Sequence, residues 1–332
     1  MLTSVINIDD STRVAEARRQ AMAAASREGL GETAAEEVGI ISTEMATNLQ
    51  KHAVLGELHI AALSAAGEAG VEILSIDRGP GMASLQECVR DGFSTAGTPG
   101  TGLGAISRLA SVFDGFSQLG RGTVIAARRY RNGCRATGER WTFGAVTVPY
   151  PGEEICGDNW GIRRSGRHRY VMVADGLGHG VLAADASAAA IAAFQNGSVD
   201  SAVSILEDVH RALRSTRGAA VAVTRIEPGG RLQYAGIGNI AGVVLGGARS
   251  QYMVSHNGTA GIEARRLQEF EYPLPPNAVI VMHSDGLTTS WSLDAYPGLL
   301  RRHPSVIAGI LYRDASRGRD DACVLVGRHY SE

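Results

Sequence analysis

The chain has 332 residues, of which 44% are hydrophobic and 20% charged, with a formal net charge of -2. That length suits about two domains, and the composition suits a chain that buries a real core. A charge so near zero, with neither half strongly acidic or basic, excludes a field that would draw the protein to nucleic acid or acidic lipid. Cys88, Cys134, Cys156 and Cys323 form no C-x-x-C pair, which argues against a zinc site or a disulfide framework and fits a reducing compartment. Asp9, Asp10 and Glu16 stand where a signal peptide needs an apolar core, and no apolar run of about 18 residues occurs. The expectation is a cytoplasmic protein with no membrane span.

In chain order, VINI (5–8) reads as a strand, and Asp10-Ser11 offers caps for a helix to about Glu28, ended by Gly29 and Gly31. A second helix is predicted from about Thr33 to Ala53, with Val38, Ile41, Met45 and Leu49 on an apolar stripe. Strands follow at 58–66 and 71–77, then a glycine-rich region at 79–104. A short helix (Ala105–Leu109), a strand near 112–119 and a strand at 123–130 complete the first half. RNGCRATGER (131–140) has no hydrophobic periodicity and reads as a linker. Beyond it come short strands at 170–175, 219–227, 233–239, 242–245, 278–285 and 322–327, with helices at Ala183–Gln195 and Val199–Leu213. The fold class expected is α+β, in two domains.

Glu44, Asn48, Lys51 and His52 share one face of the second helix; Lys51 is the only lysine in the chain. On its own such a stripe is more often a solvated face. Three glycine motifs change the balance. Asp77-Arg78-Gly79-Pro80-Gly81 ends a strand, where the carboxylate can accept from an exocyclic amine. Gly100-Thr101-Gly102-Leu103-Gly104 precedes a helix, where exposed N–H groups suit a phosphate. Gly120-Arg121-Gly122-Thr123 opens the last strand.

These four motifs, in this order, resemble the GHKL ATPase superfamily, and within it the RsbT-type switch kinases and RsbW-type anti-sigma kinases. The resemblance covers about residues 1–131. It implies a GHKL (Bergerat) α/β sandwich in which Asn48 holds Mg²⁺ against the phosphates of ATP and Glu44 polarises the attacking hydroxyl. It further implies that Asp77 reads adenine, with Gly79 and Gly81 beside it. Gly100, Thr101, Gly102, Leu103 and Gly104 would cradle phosphate, Thr123 would line the pocket, and Lys51 or His52 would contact phosphate. The 82–100 segment would form a lid.

In the second half, aspartates recur beside glycines at strand ends: Gly157-Asp158, Asp175-Gly176-Leu177-Gly178-His179-Gly180, Ser284-Asp285-Gly286, and Asp320-Asp321. An Asp-Gly pair is usually a turn. Acids repeated at the ends of apolar strands instead suit an oxygen-rich site for Mg²⁺ or Mn²⁺, and two such ions can activate water against a phosphate.

The set DGLGHG, AGIGN and SDGL…RDDA resembles the SpoIIE/RsbX branch of the type 2C (PPM) metal-dependent protein phosphatases, over nearly all of residues 145–328. That resemblance implies a PPM-type α-β-β-α sandwich. One metal would be held by Asp158, Asp175 and the Gly176 carbonyl, with Asp175 bridging. Asp285 and Asp320 would complete the second, Asp320 being preferred to Asp321. His179 either orients water or phosphate or is a loop histidine, and Ser255–Gly258 either flanks a substrate groove or is an ordinary loop.

The domains expected are thus 1–131, a linker at 132–140, and 141–330. Together they imply a switch protein that phosphorylates and dephosphorylates Ser or Thr on STAS-domain partners in a stressosome-like or sigma-factor pathway. The alternative is that the first domain binds ATP and a partner without catalysis and regulates the phosphatase. No long heptad pattern appears, and oligomeric state stays open.

Overall fold

A computed structural model of the chain describes residues 3–64, 69–89, 102–131, 141–198, 200–264 and 266–330. The expected linker at 132–140, the greater part of the expected lid, and Gly100 and Thr101 lie outside the described residues. The chain divides into two compact units: Met1–Glu139 together with Leu293–Arg313, and Arg140–Ser292 together with Asp314–Glu332. Among the described residues no helix is long and apolar enough to cross a membrane.

The first unit is built from β1 (Thr3–Asn7), α1 (Ser11–Arg27), α2 (Glu32–His52), β2 (Glu57–Ala62), β3 (Gly70–Ile76), α3 (Leu85–Val89), α4 (Gly102–Leu109), β4 (Val112–Ser117) and β5 (Thr123–Tyr130). The strands form one antiparallel sheet in the order β1-β2-β3-β5-β4. Asp10 starts α1 by accepting from the N–H groups of Thr12 (2.6 Å) and Arg13 (3.1 Å), two donors that have no partner within the helix. The buried stripe Ala17, Ala21, Ala24 and Ala25 lets α1 lie close against α2. Val38, Ile41, Met45 and Leu49 of α2 then cover Ile60, Val71, Ile73 and Ile125 on the sheet. β3 is buried at every residue, so both its faces are covered; Glu72, Leu74 and Ile76 point away from the α1/α2 core.

The second unit contains β6 (Trp141–Val148), β7 (Asp158–Ser165), β8 (His168–Gly176), α5 (Val181–Asn196), α6 (Ala202–Ala212), β9 (Ala219–Glu227), β10 (Arg231–Ile237), β11 (Ala241–Leu245), β12 (Gln251–Met253), β13 (Phe270–Pro273), β14 (Val279–His283) and β15 (Ala322–His329). They form two antiparallel five-stranded sheets, β13-β10-β9-β8-β7 and β12-β11-β14-β15-β6. Phe194 of α5 and Ile205, Leu206 and Val209 of α6 pack on Tyr170, Met172, Val221 and Val223 of the first sheet. The sheets approach each other where β15 meets β7. That meeting places the start of β7 and the end of β8 near the loop before β15.

Between β14 and β15 the chain makes an excursion. Leu293–Arg313 belongs to the first unit and holds most of α7 (Pro304–Ala315). Gly309 lies so close to Val124, Ile76 and Leu74 that a Cβ there would stand 2.8 Å from a Val124 methyl. This segment covers the sheet face that α1 and α2 leave open. Sequence periodicity had assigned no element to it.

Candidate functional site

In the first unit α2 presents Glu44 and Asn48 one turn apart, both half-buried. Gly102, the first residue of α4, faces them. A Cβ at Gly102 would stand 2.9 Å from Glu44 Oε2 and 3.8 Å from the side-chain amide atoms of Asn48, so a side chain there would fill the space between helix and carboxylate. Leu103 and Gly104 continue into α4, where Gly104 is buried against the core. Lys51 and His52 are exposed in the last turn of α2.

Asp77 follows β3 directly. Its Oδ1 accepts the Gly79 N–H at 2.7 Å, and its own N–H donates to the Thr123 carbonyl at 2.9 Å. Burial pushes its carboxyl above the ordinary value, against the pull of the Gly79 and Thr123 backbone and the Arg313 charge. Gly122 has φ +78 and a Cβ there would run into the Asp77 carbonyl, so the turn before β5 requires glycine. Thr123 shares a hydrogen bond with Ser117 at 2.9 Å, and Ser117 Oγ accepts the Met82 N–H at 2.7 Å just past Gly81. Glu44, Asn48 and Gly102 are thus brought together, and Asp77, Gly79 and Thr123 form a second group.

In the second unit the acids converge from separate strands. Asp158 and Asp175 are paired in register across β7 and β8, like charges directly opposite each other, which opposes pairing unless something neutralises them. Both oxygens of Asp158 and Oδ2 of Asp321 are buried with no hydrogen-bond partner among the described residues. Burial and then the Asp175 charge push Asp158 well up. Burial, followed by the charges of Asp285, Asp320 and Asp321, raises Asp175 to about 7. Asp285 is raised by burial and by Asp320, while Arg317 and a 2.6 Å hydrogen bond from Asn239 Nδ2 hold it down.

Asp320 is exposed and its Oδ1 accepts the Asp321 N–H at 3.0 Å. Asp321 is buried and accepts the Tyr150 N–H at 2.8 Å. The N–H of Gly176 donates to the Gly157 carbonyl at 3.2 Å, tying the end of β8 to the loop before β7. Among the described residues no three of these groups stand ready-made around one point. Yet stranded buried carboxylate oxygens, with mutual repulsion raising their pKa values, are the donor set a hard divalent cation satisfies. The residues fit such an ion.

His179 is engaged locally: its Nδ1 lies 2.9 Å from Glu153 and its ring stacks on Tyr150 at 4.3 Å. Ser255–Gly258 is stitched to the neighbouring strand, with the His256 N–H on the Gly236 carbonyl and Ser255 Oγ against the Tyr234 hydroxyl. Asn239 is the residue that sequence reasoning passed over. It closes AGIGN, and its amide reaches a carboxylate 46 positions away.

The second unit has the paired sheets and acid-tipped strands of a metal-dependent protein phosphatase, and the first has the sheet and helix pair of a GHKL-type ATPase domain. Residues 165–330 match the family Stage II sporulation protein E (SpoIIE), and residues 9–129 match Histidine kinase-like ATPase domain. The chain belongs to the SpoIIE family and carries an N-terminal histidine kinase-like ATPase domain.

Its similar proteins fall on the two halves separately. It is 30% identical to Serine/threonine-protein kinase RsbT of Bacillus subtilis (strain 168) over 127 residues, 38% of this chain and 96% of that protein. It is 27% identical to Phosphoserine phosphatase RsbX of the same organism over 138 residues, 41% of this chain and 69% of that protein. Among solved structures, a chain from "The bacterial stressosome: a modular system that has been adapted to control secondary messenger signaling" matches with TM-score 0.54 and 29% identity, over 57% of this chain and all of that one. RsbX in complex with magnesium matches in fold with TM-score 0.51 and 21% identity, over 58% of this chain and 98% of that one.

Proposed function

We propose that the chain is a bifunctional switch protein, phosphorylating Ser or Thr on STAS-domain partners with its first unit and removing that phosphate with its second. The observation that carries this reading is the pairing of Asp158 with Asp175 in register, beside the unsatisfied buried oxygens of Asp158 and Asp321. The likeness to RsbT and RsbX, one on each half, supports its pairing with a kinase.

Bound Mg²⁺–ATP would supply the phosphoryl group in the first unit, and two Mn²⁺ or Mg²⁺ ions would supply an activated water and charge neutralisation in the second. Glu44 Oε2, beside the space kept open by Gly102, accepts the proton of the partner's hydroxyl. Asn48 would hold the cation side of the nucleotide, and Asp77 would accept from the adenine amine. In the second unit Asp158, Asp175 and the Gly176 carbonyl would hold one ion, and Asp175, Asp285 and Asp320 would hold the other. Asn239 fixes the rotamer of Asp285.

The test uses the full chain with Mn²⁺ and a phosphoserine STAS-domain protein. Wild type is expected to release phosphate and Asp175→Asn to release it far more slowly. With ATP and the unphosphorylated partner, wild type is expected to transfer phosphate, whereas Glu44→Ala should bind ATP without transfer. Equal phosphate release by wild type and Asp175→Asn would remove the phosphatase assignment.

A further inference from the structure

The loops bearing Asp285 and Asp320 are joined by the excursion Leu293–Arg313. Its ends are clamped beside those loops: the Thr288 N–H donates to the Ala315 carbonyl at 2.9 Å and the Arg317 N–H to the Gly286 carbonyl at 2.8 Å. Its middle is fastened to the nucleotide-binding unit by buried polar groups rather than by apolar contact alone. Ser305 Oγ donates to Glu72 Oε2 (2.5 Å) and accepts from Arg128 Nη2 (3.0 Å), while Arg128 Nε also reaches Glu72 (2.5 Å). Asp114 takes the His303 N–H at 2.6 Å and Arg302 at 3.2 Å.

The far end of the segment reaches the expected adenine reader. Arg313 donates from Nη1 to the Asp77 carbonyl at 3.4 Å and from Nη2 to the Tyr296 hydroxyl at 3.0 Å. Arg78 donates to the Arg313 carbonyl, and Arg121, from the turn before β5, stands over the Tyr296 ring at 5.3 Å. Both turns that bracket Asp77 therefore grip the segment that links two of the acidic loops. Glu72 and Arg128 are buried on the sheet face that the segment covers, which also carries Asp114. The two charges neutralise each other, and Ser305 of the segment adds a hydrogen bond to each, so the arm completes a buried polar network that would be costly to leave unsatisfied.

We propose that Leu293–Arg313 is a coupling arm through which nucleotide occupancy at Asp77 sets the metal affinity of the Asp285 and Asp320 loops. This rests on the reading of the two sites given above. Nucleotide orders the turns around Asp77, those turns hold Arg313 and Tyr296, and the arm in turn holds Asp285 and Asp320 in place for the cation. Coupling of this kind is reciprocal and spans about five- to 150-fold in affinity.

The test is hydrolysis of p-nitrophenyl phosphate by the full chain, with free Mn²⁺ set by a metal buffer, with and without saturating AMP-PNP. The Mn²⁺ midpoint is expected to fall about fivefold or more with nucleotide. In Arg313→Gln the shift is expected to vanish, while the affinity for a fluorescent AMP-PNP analogue and the nucleotide-free midpoint stay close to wild type. A readout independent of activity is amide exchange over Leu293–Arg313, which AMP-PNP should slow in wild type and leave unchanged in the variant. If Arg313→Gln does not fold, Tyr296→Phe decides, since it removes only the hydroxyl that Arg313 donates to and should shrink the shift. Equal midpoints in protein that binds nucleotide and hydrolyses substrate would overturn the coupling alone, as would an undiminished shift in a folded variant. Absence of nucleotide binding or of Mn²⁺-dependent hydrolysis would instead bring down the functional reading, and the coupling with it.

Discussion

The two candidate sites solve opposite problems. The acidic cluster gathers like charges at strand ends, with Asp158 facing Asp175 in register, and stays strained until a cation arrives. The candidate nucleotide cradle gathers little charge. It depends on room, kept by a glycine 2.9 Å, measured from its would-be Cβ, from Glu44 Oε2. The first is therefore expected to respond to pH and metal, and the second to side-chain volume.

The sharpest way to break this contrast is Asp175→Asn. Phosphatase activity is expected to fall about a thousandfold, by analogy with losing one preorganised electrostatic group at a reacting centre. The metal-free variant is expected to melt at a higher temperature than metal-free wild type, because one of two facing like charges is gone. A lower melting temperature would mean that the cluster is not strained.

A second prediction concerns pH. With its folded pKa near 7 and its ordinary value 3.8, Asp175 binds more protons folded than unfolded between those values. Metal-free stability must then fall as pH rises through that window, by a few kcal/mol if Asp175 alone sets the slope. Asp158 and Asp285, both raised, add in the same direction. Thermal unfolding in chelator at about pH 5 and about pH 8 checks this, and added Mn²⁺ should stabilise more at the higher pH. A flat profile would contradict it.

Smaller effects test the supports. Asn239→Ala frees Asp285 from its 2.6 Å hydrogen bond and should raise the Mn²⁺ requirement about tenfold or more while leaving the nucleotide site untouched. Gly102→Ala should lower phosphate transfer about tenfold through misplacement of Glu44, while phosphatase activity with Mn²⁺ holds. If Gly102→Ala instead matched wild type in transfer, room beside Glu44 would not be what the cradle requires.

Much of each site was legible in local pattern. The spacing of Glu44 and Asn48 fixes them on one face of α2, and Asp10 announces the start of α1 by its capping chemistry. The strand at 123–130 is read to the residue, since its apolar run is bounded by a glycine turn. The strands β6 and β7 were passed over because WTFGAVTV and DNWGIRRS mix glycine and polar residues with a weak alternation. Their strand character comes from partners, β15 for one and β8 for the other. The second helix of the phosphatase half was placed from Val199, whereas α6 begins at Ala202 behind the Ser201 cap, whose side chain bonds Ser204.

By itself the sequence determined which residues carry charge at strand ends, which glycines open a turn or a helix, and hence the two kinds of chemistry. These are short-range properties, written in spacings of three, four or two residues. The tertiary structure alone decided that Asp321 is buried and Asp320 exposed, that Asn239 reaches Asp285, and that Leu293–Arg313 joins the first unit. Each depends on groups far apart in the chain, such as Ser305 on Glu72, and no local periodicity encodes a hydrogen bond across 233 positions.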